Sequence, residues 1–208
     1  MGLATYEDLK QSIINWSHRS DLDLLIDDFI LLAETRMFNN PIEVLEVAGQ
    51  DTTDNTLTTT GKTIALPADY QSIRSIRLEL NGVNNDLRYR APEQMIIRDA
   101  SGLPSFFTVS GTNIVFDRVP DAVYTVNLQY FAKPTALSSA NPTNTILTNN
   151  PDIYLFGALN ALFAHANNDI DAANYANQFI AAIRGANKLA KQGRYGPAPA
   201  MRIEGATP

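Results

Sequence analysis

Apolar positions recur at helical spacing at both ends of this chain and at spacing two through its middle. Leu9, Ile13 and Trp16, with Ile14 beside them, follow Thr5-Tyr6-Glu7-Asp8, a capping residue with acids behind it, and predict a helix over 6–17. Leu22, Leu25, Ile26, Phe29, Ala33 and Met37 form a second buried stripe. Ser20 is expected to cap this helix at the N–H of Asp23, with Asp21 and Asp23 at the positive end of its dipole. Its other face carries Leu24 and Leu31, seven residues apart, among Asp27, Asp28, Glu34 and Thr35. Such a leucine pair is either incidental exposure or a contact with another subunit.

After "FNNP" the period becomes two. "IEVLEVAG" reads as a strand and the threonine-rich stretch behind it as a polar loop or mobile hairpin tip. Ile76, Leu78 and Leu80 alternate up to Asn81-Gly82, a hairpin turn. Pro92 opens a predicted short helix, "PEQMIIRDA". The stretch from Phe106 to Lys133, with Tyr124, Val126, Leu128 and Tyr130 in phase, predicts a three-stranded meander, and "TALSSANPTNTILTNN" a loop. Helices then return. Asn150-Pro151 opens one that is apolar on most sides and so central to a bundle. The other starts at Asp169 and Asp171, buries Tyr175, Phe179 and Ile183, and is expected to end at Gly193 behind Arg184, Lys188 and Lys191.

These elements define an α+β chain. A helical bundle built from residues 1–41 and 148–193 receives an inserted antiparallel β domain, residues 42–147, and an extended C-terminal tail follows, 194–208. The tail, "RYGPAPAMRIEGATP", has no periodicity, yet Tyr195, Met201 and Ile203 are apolar anchors that a plain linker does not need.

Composition narrows the chemistry. Among 208 residues there is no cysteine and there are two histidines, His18 and His165, which removes thiolate and histidine-rich metal sites. A net charge of −6 argues against tight phosphate binding but suits a surface that DNA slides past. "MGLATYEDLK" lacks the basic start and apolar core of a signal peptide, and no apolar run reaches membrane-spanning length, so a soluble protein made in a cytoplasm is expected.

Candidate sites mostly have a plainer account. Ser20, His18 and an aspartate lie too close together for a triad, and capping explains them. Adjacent Asp27 and Asp28 diverge by about 100° on a helix and do not converge on one ion. Glu43 and Glu46 fall on opposite faces of their predicted strand, and His165 suits a helix end. Gly61-Lys62-Thr63 resembles the end of a phosphate loop, but Thr56 stands where its first glycine belongs and a strand follows. Arg74, Arg77, Arg88 and Arg90 are balanced by Glu79 and Asp86 and read as cross-strand partners.

The order of several motifs resembles one known family, the head-to-tail adaptors of short-tailed bacteriophages. Tyr6, Leu9 and Trp16 match its first helix, and Arg19, Asp21 and Leu22 its turn. Phe29, Ile30, Leu32, Ala33, Glu34 and Arg36 match its second helix. "LPADYQSIRSIRLE", "LRYRAPEQM" and the block from Tyr124 to Leu159 are similar to its later segments, while residues 52–60 and the tail depart from it. The resemblance implies a virion structural protein at the head–tail junction. In that family, rings of usually twelve subunits sit under the portal protein and join it to other tail proteins. DNA passes through such a ring without sequence-specific binding. The resemblance implies no catalysis, no cofactor and no membrane. In that family the helical part packs subunits, so the outer pair Leu24 and Leu31 is expected at a subunit interface. C-terminal segments there reach the portal or a neighbour. Tyr195, Met201, Arg202 and Ile203, in a tail that does not match the family residue by residue, are expected to dock on the portal or a neighbour. Two other classes stay open on the residues alone: a glycan-degrading enzyme using carboxylates such as Asp28 and Glu34, and a monomeric binding module built on the β domain.

Overall fold

The computed structural model describes residues 2–46 and 51–195. It is mixed α+β, with helices towards both termini and antiparallel sheets between them. Two compact units divide it. One is formed by residues 2–46 together with 134–195, the other by residues 51–133.

In the helical unit, α1 spans Tyr6–Ser17. Thr5 Oγ1 accepts the Asp8 N–H at 3.2 Å while the Asp8 carboxylate accepts the Thr5 N–H at 3.1 Å, a reciprocal capping box. His18, at φ 53°, turns the chain out of this helix. The next stretch departs from the predicted pattern. Ser20–Leu25 is a 3₁₀ segment, and α2 proper runs Ile26–Asn39. Ser20 caps nothing, because Arg19 occupies the N-cap position and its guanidinium grips both oxygens of Asp21 at 2.7 Å. That fork holds the tighter turn.

Asn144 caps a short helix, α3, Thr145–Asn149, inside the segment expected to be a loop; its side-chain oxygen accepts the Leu147 N–H at 2.9 Å. Asn150 therefore does not cap with its side chain. It is the joint between α3 and α4, Pro151–His165, with its N–H bonded to the Ile146 carbonyl. α4 is buried on nearly every side, as its apolar pattern predicts, and α1, α2 and α5 all pack on it. Gly157 marks the tightest approach. A Cβ there would stand 2.8 Å from Ala33 Cβ and 2.9 Å from the Phe179 ring. α5 spans Asp169–Tyr195, so Gly193 lies inside the helix and does not end it; its φ is not left-handed, the geometry a glycine C-cap needs. Half-buried rings line the bundle, with Phe163 stacked on Tyr175 at 5.4 Å and Trp16 against Phe156 at 6.3 Å.

Residues 42–46 form no strand and belong with the helices, as do residues 134–147. Leu45 is fully buried in the helical core, beside Leu137, Ile146 and Leu147. The backbone groups that a sheet would have used are satisfied otherwise. Leu45 N–H bonds to the Met37 carbonyl at 3.0 Å. The Asn187 side chain takes the Glu46 N–H and donates to the Val44 carbonyl, each at 2.8 Å.

The second unit holds β1 (Asp51–Thr58), β2 (Thr63–Ala65), β3 (Tyr70–Leu80), β4 (Val83–Asp86), β5 (Arg88–Tyr89), β6 (Phe106–Ser110), β7 (Asn113–Phe116) and β8 (Thr125–Ala132). One sheet has the order β1-β8-β3-β4 and the other β2-β7-β6-β5, antiparallel except for the β5–β6 pair. Ile76, Leu78, Val126 and Leu128 of the first share a core with Ile64, Phe107, Ile114 and Phe116 of the second. Three expectations change here. The threonine-rich stretch is a sheet-edge strand, its β-branched side chains paired along β8. The meander is broken, since β6 and β7 form a hairpin in one sheet while β8 joins the other between β1 and β3. The helix after Pro92 shrinks to a 3₁₀ turn, Pro92–Gln94, and Arg98 N–H is instead bonded to the Asp117 carbonyl at 2.7 Å. The Asn81-Gly82 hairpin turn is present with both residues at positive φ, 52° and 80°.

Candidate functional site

α2 has two unlike faces. Inward, Ile26, Phe29, Ile30, Ala33 and Met37 are buried in the bundle. Outward, Asp28, Leu31 and Thr35 follow one another at spacings of three and four, so they share one side of α2, and Leu24 stands exposed in the 3₁₀ segment just before it. Leu24 is 94% exposed, Leu31 57% and the flanking Leu32 45%. The leucine pair singled out in the sequence is therefore solvent-facing, and Leu32 extends it.

The polar residues around this helix are largely structural. Asp27 accepts the Tyr6 hydroxyl at 2.8 Å and pairs with the Lys10 ammonium at 2.8 Å, which ties α2 to α1. The bond from Lys10, with that from Tyr6 behind it, holds the Asp27 carboxyl below its usual range against the opposing effect of burial. Glu34, expected on the solvated face, is buried. Its carboxylate accepts the Leu137 N–H at 2.8 Å and the Tyr154 hydroxyl at 2.9 Å, and Asn144 donates to the Tyr154 oxygen at 2.7 Å. Desolvation pushes Glu34 above the ordinary carboxylate range despite those bonds, and pushes the Tyr154 hydroxyl upward as well. A buried carboxylate persists only with such donors. Two residues further on, Arg36 bonds the Asn160 side chain, which donates to the Ala172 carbonyl at 2.8 Å, so α2, α4 and α5 are linked. Asn160 and Asn187 were not singled out as functional from sequence; the available signal was a lone asparagine on an otherwise buried helix face.

Other candidates disperse. Asp28 lies on the outer face of α2 and Glu34 on the inner, so this carboxylate pair does not converge. His18 and Ser20 are exposed, and the Asp21 carboxylate is held by Arg19. His165 is exposed, its ring 5.6 Å from Phe29. Glu43 accepts from Asn187 at 3.0 Å. Lys62 pairs with Asp99 at 2.6 Å, and Thr63 opens a strand as expected. Arg77 and Asp86 form a cross-strand pair at 2.7 Å, while Arg90 sits 3.6 Å from the centre of the Phe106 ring. A cleft of about 720 Å³ opens in the β unit beside Ile73, Leu87, Tyr89 and Phe107. Its one acid, Asp86, is the partner of Arg77. Tyr195 closes α5, and Met201, Arg202 and Ile203 lie outside the described residues. Among the described residues no group of three or more His, Asp or Glu is arranged to hold a metal, and no helix is long and apolar enough to cross a membrane.

The buried polar groups of this bundle fasten its helices to one another and to loop backbone, and none of the candidate catalytic sets converges among the described residues. Residues 4–202 match the family described as SU10 adaptor protein, and the chain belongs to that family. It is thus a phage structural adaptor, a component of the virion that works in contact with other phage head and tail proteins. No curated protein matches the chain. The motif that pointed to adaptors, Leu32-Ala33-Glu34 and Arg36, now has a physical content: Ala33 permits the approach at Gly157, and Glu34 and Arg36 fasten α2 to its neighbours.

Proposed function

We propose that this adaptor assembles as a ring, of twelve subunits on the family's usual pattern, that joins the portal of the phage head to the tail and surrounds the DNA channel. The observation that carries the reading is the outer surface of α2 and of the 3₁₀ segment before it, where Leu31 and Leu32 of the helix and Leu24 of the segment stay exposed while the other side of α2 is tightly packed. Covering a leucine side chain is worth about 1.5–3 kcal/mol, so a seam over this face rewards assembly. The acidic balance of the chain suits passage of DNA along the ring. The tail beyond α5, with Met201, Arg202 and Ile203, together with Tyr195 at its root, docks on the portal or a neighbouring subunit.

Mass measurement of the purified protein, alone and with isolated portal rings, tests this reading. Defined multimers are expected at least on the portal. The double change Leu24→Asp and Leu31→Asp should reduce assembly at least tenfold while leaving helicity and melting temperature nearly unchanged, because both side chains are already in water. Unchanged oligomer size in that variant would remove the seam from this face. Deletion of residues 196–208 leaves α5 whole and should block portal attachment; infectious particles formed from that protein would overturn the docking role.

A further inference from the structure

The outer face of α2 needs a counterpart, and charge identifies one on the same unit. Residues 1–46 hold nine acidic and three basic side chains. From Ala181 to the end of α5 there is no acid, while Arg184, Lys188, Lys191 and Arg194 are present. On the exposed side of that stretch Gly185, Lys188, Leu189 and Gln192 fall at spacings of three, four and seven from the first. Leu189 is 68% exposed, and a Cβ added at Gly185 would meet nothing within 4 Å, so the surface there is open to an incoming side chain. The acidic face thus carries leucines with Asp28 among them, and the basic face carries a leucine, a notch and Lys188.

We propose that the α2 face of one copy seats on the α5 face of the next, with Leu24 and Leu31 against Gly185 and Leu189 and Asp28 opposite Lys188. This rests on the ring reading above and names the two halves of its joint. The faces differ, so the contact is heterologous and runs head to tail; repeated with the right rotation it closes into a ring. An isologous contact of α2 on α2 would bring Asp28 towards its own copy, which like-charge repulsion opposes. A joint formed by one helix from each side is small against the roughly 1,200–2,000 Å² of stable isolated pairs. Each joint is therefore weak alone and depends on closure or on a template.

The absence of native cysteine allows a direct test. Single variants Leu31→Cys and Leu189→Cys are mixed and oxidised under the condition, free or portal-bound, in which mass measurement shows assembly. The expected product is the mixed dimer, in excess over both homodimers and at least fivefold over a control mixture of Leu31→Cys with Thr148→Cys. Dominant Leu31→Cys homodimers would keep the seam but overturn this pairing, and a mixed dimer no more abundant than the control would overturn it too. If no assembly occurs in either condition, the ring reading itself falls. Charge reversal gives a second readout. Asp28→Lys or Lys188→Glu alone should weaken association roughly fivefold, and the two together should restore it. Additive losses in the double variant count against the contact.

Discussion

The two units of this adaptor handle polar groups in opposite ways. In the helical unit the decisive polar side chains are inside: Glu34, Asn160 and Asn187 join helices to one another or to loop backbone. Its charges are unevenly spread: residues 1–46 hold nine acids and three bases, whereas α5 from Ala181 onward holds four bases and no acid. In the β unit nine acids and eight bases nearly cancel, and ion pairs form within the unit, as Arg77 does with Asp86 across adjacent strands and Lys62 with Asp99. Unevenly spread charge leaves a surface that can complement another, whereas matched charge is satisfied within its own unit. The contrast teaches where to look for assembly, and it can be broken at specific residues.

The largest effect is expected at Gly157. Any Cβ there meets Ala33 and the Phe179 ring below 3 Å, and Gly157→Val adds two further methyls between packed helices. A loss of about 3 kcal/mol is expected from such overpacking. Amide hydrogen exchange is the suitable measurement, because it reads each element separately. Protection in α4 should fall sharply while that in β8 is kept, and the emission of Trp16, the sole tryptophan, should follow α4. Equal losses in α4 and β8 would mean that the two units unfold together.

Glu34 is next. Its folded pKa lies above the ordinary glutamate value of 4.5, so the folded chain holds this proton more tightly than the unfolded chain does. Stability linked to Glu34 is therefore fully present below pH 4.5 and is lost as pH rises through the raised folded value. Glu34→Gln should remove that slope while still accepting from Leu137 and Tyr154. Glu34→Ala leaves the Tyr154 hydroxyl and the Leu137 N–H without their acceptor and should cost about 1–3 kcal/mol at neutral pH. Urea melts of the three proteins at several pH values decide it. A Gln variant with the wild-type pH slope would assign that slope to another group.

The same contrast explains what could be read from sequence. The bounds of α1 and the starts of α4 and α5 were legible because capping residues, proline and apolar spacing all act within a few residues. The start of α2 was not: Ser20 was expected to cap at Asp23, but Arg19 takes the N-cap position of a 3₁₀ segment and grips Asp21, which only the folded turn shows. Residues 42–46 have strand-like composition, but Asn187, more than 140 positions away, takes the backbone groups. Across the β unit, alternation revealed which side chains of β8 are buried but not which strands flank it, because its partners β1 and β3 lie far back in the sequence. The outer leucines were visible as residues the core did not need. The basic face opposite them in the proposed joint became legible only once Leu189 was seen exposed beside Lys188.

The smallest expected effect tests the local matching of charge directly. Arg77 and Asp86 are both substantially exposed, so their bond at 2.7 Å competes with water and with side-chain entropy. Arg77→Ala should cost about 0–1 kcal/mol in stability, and high salt should erase most of the difference from wild type. Assembly should be unaffected, because this charge is already matched within its own sheet. Asp28→Ala should behave in reverse, nearly silent in the melt of the unassembled chain and visible only in the assembled mass. Both variants are measured by urea melts at two salt concentrations and by mass with the portal ring. If Arg77→Ala impairs assembly as strongly as Asp28→Ala, the β unit contributes to the joint, and the division between a self-matched unit and an outward-facing one fails.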